Sequence, residues 1–135
     1  SEALRIHPVF SLLTRKLACP FTMKDHVLPA GLGVSMALAP VHFRPETYGD
    51  PRVFRPERFL ERSFSPAEYL PFGGGAPRCL GATFATHEMK IALATIFRGF
   101  SLRLATDRPV RPSVRSATVA PAGGVRAIVI ERRRA

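Results

Sequence analysis

Short apolar runs separated by turn residues dominate the first third of the chain. Residues 1–8 have the pattern of a helix end, because Pro8 cannot continue a helix. Two further runs predict strands, and two more flank Lys24-Asp25-His26 as in a hairpin. These runs are residues 11–17, 33–38, 21–23 and 27–28.

Prolines at six positions make residues 40–71 irregular in pattern. An ordered loop of that length inside a compact domain is usually functional or pinned by specific contacts. After Gly81 the apolar positions recur with helical spacing up to Gly99, where glycine favours a helix stop. Residues 100–104 and 125–130 predict strands, with a tight turn at 121–124 before the second. The pattern thus predicts one long helix, one helix end, short strands and much ordered loop.

Composition narrows the class of protein without naming a function. The 135 residues suffice for one core, and the apolar fraction of 46% is ordinary for a globular protein. Only two cysteines occur, which argues against a disulfide framework and fits a reducing cytosol. Cys19, between Ala18 and Pro20, has the setting of a small buried hydrophobe. No apolar run is long enough for a membrane helix.

The net charge of +10 raises the possibility of a nucleic-acid partner. The arginines, however, are dispersed among prolines and apolar residues rather than gathered into a stripe. The one dense basic run, residues 132–134, is predicted to be a solvated tail. We therefore expect no nucleic-acid partner.

The segment from Phe72 to Gly81 carries the most specific chemistry. Its three consecutive glycines allow close backbone approach to a flat ligand, and Cys79 lies just before the predicted long helix. A helix N-terminus and the neighbouring Arg78 would stabilise a thiolate, which can ligate haem iron. The segment lacks the Gly-Lys-Ser/Thr of a phosphate loop, and no histidine has a recognisable hydrolase context. A buried structural cysteine remains open on these residues alone.

Three motifs in order resemble the cytochrome P450 family. Phe72, Gly75, Cys79 and Gly81 match its F-x-x-G-x-x-x-C-x-G haem-binding signature. Residues 2–5, Glu-Ala-Leu-Arg, match the E-x-x-R of its K helix, and residues 54–59, Phe-Arg-Pro-Glu-Arg-Phe, match the F-x-P-E-R-F that precedes the haem segment. The resemblance extends over essentially the whole chain.

The resemblance implies roles for individual residues. Cys79 would be the axial ligand of the iron of haem b. Glu2, Arg5 and Arg58 would form the family's buried charge triad. Where most members carry Arg or His two residues before the cysteine, this chain has Pro77, which leaves a haem propionate without that cation. The remaining expected haem-binding residues are Phe72, Gly73, Gly75, Arg78, Gly81 and Arg15.

By the same resemblance, the fold would be mainly α with small β-sheets (α+β), and this chain would be its C-terminal haem-binding segment, incomplete and inactive on its own. Its parts would be the K-helix end (1–8), strands and meander (9–71), the cysteine loop (72–81), a helix (82–98) and C-terminal strands (99–135).

The whole enzyme would be a bacterial, cytoplasmic monooxygenase that inserts one oxygen atom of dioxygen into a small apolar organic substrate. NAD(P)H would supply electrons through a ferredoxin or flavodoxin-type partner. The alternative is a truncated or degenerate haem-binding module without oxygenase activity.

Overall fold

The computed structural model describes residues 1–76 and 78–133, and the chain divides into two compact units, residues 1–75 and 76–135. In the first unit the elements are α1 (Glu2–Ile6), β1 (Leu12–Lys16), β2 (Phe21–Met23), β3 (His26–Leu28), β4 (Gly33–Ala37), α2 (Leu38–His42), α3 (Pro45–Tyr48) and α4 (Arg58–Glu61). In the second they are α5 (Ala82–Gly99), β5 (Phe100–Leu104), β6 (Pro112–Arg115), β7 (Thr118–Pro121) and β8 (Ala127–Arg132).

Two antiparallel strand pairs organise the first unit. Strand β1 pairs with β4 in a register that places Leu12 opposite Ala37. Strands β2 and β3 form a hairpin whose innermost pair is Met23 and His26. The predicted strands and hairpin are confirmed, although His26 belongs to β3 rather than to the turn. Lys24 occupies the turn with a φ of 52°, a conformation that a tight turn imposes.

A small apolar core lies next to the β1–β4 pair. Leu38 and Val41 of α2 pack with Leu70, and Leu13 of β1 packs against this cluster. The Leu38 amide donates a hydrogen bond to the carbonyl of Ser11 at 3.0 Å, which ties α2 to the start of β1. Leu70, two residues before Phe72, is therefore anchored in the core.

The prediction that residues 40–71 are irregular is wrong in part, because α3, α4 and most of α2 lie within them. Each is a helix of only four or five residues, too short to produce a recurring apolar pattern. Pro45 begins α3, and Pro40 lies in the first turn of α2; proline is tolerated in a first turn because its missing N–H has no helical partner there. The high proline content of this segment therefore did not exclude short helices.

The second unit begins with the long helix that the sequence predicts. Helix α5 spans 18 residues, and β5 continues directly from it. Strand β5 pairs antiparallel with β8, with a register shift between Ser101 and Leu102. Strands β6 and β7 form a second hairpin, which the sequence pattern did not predict, since its turn uses Ser116 (φ 56°) rather than glycine, asparagine or proline.

The predicted solvated tail at residues 132–134 is confirmed as to exposure for the two arginines that are described, but both are ordered by contacts with the rest of the unit. Arg132 is the last residue of β8 and lies opposite Phe100, with its guanidinium carbon 6.0 Å from the ring centroid. The Arg133 amide donates to the carbonyl of Gly99 at 2.9 Å. Strand pairing with β5 thus orders Arg132, and the hydrogen bond to Gly99 orders Arg133. Arg134 lies outside the described residues.

Candidate functional site

The first unit brings Glu2, Arg5 and Arg58 together in one buried charge cluster. Their relative exposures are 2%, 0% and 5%. Arg5 donates from Nε to Glu2 Oε2 and from Nη2 to Glu2 Oε1, both at 2.7 Å, in a bidentate pair. Arg58 Nε donates to the same Oε1 at 3.2 Å. One carboxylate therefore serves two guanidinium groups that lie far apart in the sequence.

The excess positive charge of the cluster is met by backbone carbonyls and by the aromatic rings of Tyr48 and Phe43. Arg5 donates to the carbonyls of His42 and Pro51 at 2.7 and 2.8 Å. Arg58 donates to the carbonyl of Tyr48 and to three others, those of Asp50, Val53 and Arg55. The Tyr48 ring centroid lies 4.8 Å from the Arg5 guanidinium carbon, within cation–π distance. Among the described residues, no buried side-chain nitrogen or oxygen lacks a partner.

The geometry of this cluster keeps Glu2 ionised. Burial by itself raises the pKa of the Glu2 carboxyl, but the Arg5 hydrogen bonds, the Arg55 N–H at 3.1 Å and the charges of Arg5 and Arg58 together hold that pKa below its usual value. Burial raises the pKa of the Tyr48 hydroxyl to about 12, so the ring stays neutral. The cluster thus joins α1 to the polypeptide around α3 and α4 by charge-assisted hydrogen bonds.

Two residues of this cluster were not recognised from the sequence: Tyr48 and His42. His42 is fully buried, with Nδ1 at 3.1 Å from the Arg5 carbonyl and Nε2 at 3.1 Å from the Leu70 amide. Its partners lie 37 and 28 residues away, so no local pattern could have indicated them. The only sequence signal for His42 was a histidine that precedes an irregular segment.

Cys79 lies in the second unit, three residues before the start of α5. Its thiol is exposed and free, and the next residue, Leu80, is fully exposed. The Cys79 carbonyl accepts a hydrogen bond from the Ala82 amide at 3.3 Å, which fixes the cysteine backbone to the first residue of the helix. A Cβ added at Gly81 would lie 3.9 Å from the sulfur, an ordinary contact distance. Cys79 is therefore held at a helix start, in an exposed position.

The glycines before Ala76 belong to the first unit and differ in their requirements. Gly73 has a φ of 92°, which favours glycine, and its amide donates to the Leu70 carbonyl at 3.1 Å. A Cβ at Gly74 would lie 2.5 Å from the backbone oxygen of Pro66, so a side chain there is excluded. A Cβ at Gly75 would meet no atom within 4 Å. Phe72 is half-buried beside them.

The candidate cationic contacts are exposed. Arg15 lies on β1 and donates to the carbonyl of Thr14 at 2.9 Å. Arg78 is exposed immediately before Cys79. Pro77, the departure from the family's pattern, lies outside the described residues. In the described part of the chain, no group of three or more His, Cys, Asp or Glu side chains could hold a metal ion.

The family model for cytochrome P450 matches residues 1–126. The chain belongs to the cytochrome P450 family. It is 40% identical over 125 residues to the Mycobacterium tuberculosis protein named cytochrome P450 135B1, which covers 93% of this chain and 26% of that protein. It is 37% identical over 134 residues to cytochrome P450 135A1 of the same species, covering 98% of this chain and 30% of that protein.

Solved P450 structures have the same fold. Retinoic-acid-bound cyanobacterial CYP120A1 matches with a TM-score of 0.83 at 28% identity, over 98% of this chain and 31% of that chain. CYP102L1 matches with a TM-score of 0.82 at 30% identity, over 98% of this chain and 30% of that chain. The predicted fold class, mainly α with small β-sheets, is confirmed. The chain spans less than a third of the length of each P450 named above.

Residues 1–76 and 78–133 of this P450 contain no helix both long and apolar enough to cross a bilayer.

Proposed function

We propose that Cys79 is the axial thiolate ligand of a haem b iron. The observation that carries this proposal is the exposed, free thiol of Cys79 three residues before α5, within the family's signature residues. A single sulfur donor beside glycine suits haem, because the porphyrin supplies four of the ligands of its iron and no cluster of protein ligands is needed. When bound, such a haem supplies the activation of dioxygen, which a thiolate favours.

The other signature residues would act on the same group. Gly81 keeps ordinary contact distance to the sulfur, and Gly75 has room for close approach of a flat ligand to the backbone. Phe72 and Gly73 would contact the haem from the preceding turn. Arg15 and Arg78, both exposed, would donate charge-assisted hydrogen bonds to the propionates, the contact that Pro77 cannot make. Glu2, Arg5 and Arg58 would act indirectly, by fixing the polypeptide before the loop.

For the whole protein we propose a monooxygenase that inserts one oxygen atom of dioxygen into a small apolar organic substrate. Electrons would come from NAD(P)H through a ferredoxin or flavodoxin-type partner. Both cysteines of this chain are free, which fits the reducing cytoplasm of a bacterial cell. This chain would contribute the proximal ligand and the framework that supports it.

A pair of cysteine variants tests the ligand assignment in the full-length protein. We expect Cys79→Ser to abolish the red-shifted Soret band of the reduced carbon monoxide complex, because that band requires a thiolate opposite carbon monoxide. Cys19→Ser is the matched control, since Cys19 is also free and is exposed, not buried as its sequence setting predicted, and it should leave the band unchanged. Survival of the band in Cys79→Ser would exclude Cys79 as ligand. Oxygen uptake without product, in protein that keeps the band, would favour a haem-binding module without oxygenase activity.

A further inference from the structure

His42 is a fully buried imidazole whose two nitrogens both have backbone partners. The Leu70 amide can only donate, so Nε2 must accept that hydrogen bond. In a neutral ring Nδ1 then carries the proton, and it donates to the carbonyl of Arg5. These partners thus specify one neutral tautomer. In that form the imidazole links the Arg5 carbonyl of α1 to the Leu70 amide.

Leu70 is the residue through which this link reaches the glycine-rich turn. Its side chain is only 2% exposed and belongs to the core, and its carbonyl accepts the Gly73 amide at 3.1 Å. Its amide has His42 Nε2 as its acceptor. If His42 no longer accepted this hydrogen bond, the buried Leu70 amide would have no partner. Leu70 comes just before Phe72 and Gly73, so these two residues would then be less firmly positioned.

We propose that His42 is a proton-sensitive positioning residue, which holds the segment entering the cysteine loop when neutral and releases it when protonated. On protonation both ring nitrogens become donors, so Nε2 would confront the Leu70 N–H with a second N–H. That this segment leads to a haem ligand rests on the proposed function; the imidazole bridge itself does not.

The surroundings of His42 disfavour its protonated form. The groups that contact His42 are Arg5 of α1, whose guanidinium donates to the His42 carbonyl, and Tyr69, whose ring stacks on the imidazole at 5.9 Å. Arg5 is in turn held by Glu2 and Tyr48, and Glu2 also accepts from Arg58 of α4. Glu2 is the one carboxylate among them, and two guanidiniums already share it. Burial, and then the Arg5 charge, lower the pKa of His42 against the opposing effect of its hydrogen bond to the Arg5 carbonyl.

The sign of the pH dependence follows from that direction. A histidine freed from the fold has a pKa of about 6.5, above the lowered native value. The state in which His42 has left its site therefore binds more protons than the native state. The stabilisation that neutral His42 provides is complete above about pH 6.5, and it is lost as the pH falls towards the native pKa of His42. The Glu2 carboxyl, whose pKa is also lowered, acts in the same direction but only from its ordinary value of 4.5 downwards.

Hydrogen exchange at the Leu70 amide in the full-length protein tests the proposal without using haem as the readout. With rates corrected for intrinsic pH dependence, we expect protection at Leu70 to fall about tenfold between pH 7.5 and 5.5, the factor for one proton with a released-state pKa near 6.5. The Leu17 amide, bonded to the Leu32 carbonyl in the same unit, should change less than twofold.

Two variants isolate the imidazole. In His42→Gln, the amide supplies one donor and one acceptor but does not titrate, so Leu70 protection should become independent of pH within twofold. His26→Gln is the matched control, because His26 is exposed on β3, and it should keep the tenfold change. A tenfold change that persists in His42→Gln would overturn the proposal.

The wild-type measurement alone remains decisive if His42→Gln does not fold. Equal Leu70 protection at pH 5.5 and 7.5 would overturn the proposal, and so would an equal fall at Leu17, which would indicate unfolding of the whole unit. A failed Cys79 assignment would leave this exchange result unaffected, so the two proposals fail separately.

Discussion

At the scale of single residues, the shared carboxylate of Glu2 decides whether two arginines can be buried. Each guanidinium is removed from water, and the same carboxylate oxygen accepts from both. Buried ion pairs gain little overall from attraction, because desolvation offsets it, yet removal of one partner leaves an unpaired buried charge. The cluster therefore specifies how the chain packs more than it adds to net stability.

Replacement of Glu2 should expose this asymmetry. We expect Glu2→Ala to lower the free energy of unfolding of the full-length protein by about 3–5 kcal/mol, because two buried guanidiniums lose their anion. Haem content should fall in parallel if the cluster supports the haem loop. Chemical denaturation, followed by far-ultraviolet circular dichroism, measures the first effect, and pyridine haemochromogen absorbance measures the second.

Glu61→Ala is the matched control for Glu2→Ala. Its carboxylate pairs with Arg55 while both side chains are 52% exposed, so the expected loss is only about 0–1 kcal/mol. If Glu2→Ala were no more damaging than Glu61→Ala, the buried cluster would not have the role inferred from its geometry.

At the scale of elements, the turn from Leu70 to Gly75 is positioned by contacts from several parts of the first unit. His42 holds the Leu70 amide, the core holds its side chain, and the Pro66 carbonyl lies against Gly74. The turn itself forms no helix or strand, so these contacts come from other parts of the first unit. The turn is therefore ordered by tertiary packing. Its three glycines differ in whether the backbone conformation or a neighbouring atom excludes a side chain.

Alanine substitutions at adjacent glycines separate packing from ligand approach. Gly74→Ala places a Cβ 2.5 Å from a backbone oxygen, so we expect destabilisation by about 1–3 kcal/mol, as for overpacking. Gly75→Ala meets nothing within 4 Å, so unfolding of the haem-free protein should change by less than about 0.5 kcal/mol. If Gly75 faces the haem, that variant should instead lose haem faster. Equal unfolding free energies of both variants would contradict the packing argument.

At the scale of the whole molecule, this chain leaves much apolar surface exposed. Along α5, Phe84, Leu93 and Phe97 are 73%, 54% and 56% exposed. The predicted apolar face of this helix is itself only partly covered, with Met89 and Ile96 at 38% and 41%. Such surface in a soluble protein ordinarily has a partner.

Expressed alone, the 135-residue chain should therefore be aggregation-prone and only partly folded. We expect poor amide proton dispersion, strong binding of an apolar fluorescent dye, and no stable thiolate complex with added haem. The full-length protein is the control and should bind the dye weakly. A well-dispersed spectrum from a monomeric 135-residue chain would show that the two units are stable without further polypeptide.

The amino-acid sequence was enough to predict the family, the main strands and the α5 helix, because each depends on a local pattern or a fixed spacing. The haem-ligand assignment follows from the signature residues and stays a prediction. Glu2, Arg5 and Arg58 were assigned through motifs, but their shared oxygen appears only in the fold. The single-turn helices and the His42 bridge were decided by tertiary structure. The His42 hydrogen bonds join residues 37 and 28 positions apart, so no short window of sequence contains both partners. The short helices make local hydrogen bonds, but each has too few residues to show an apolar period.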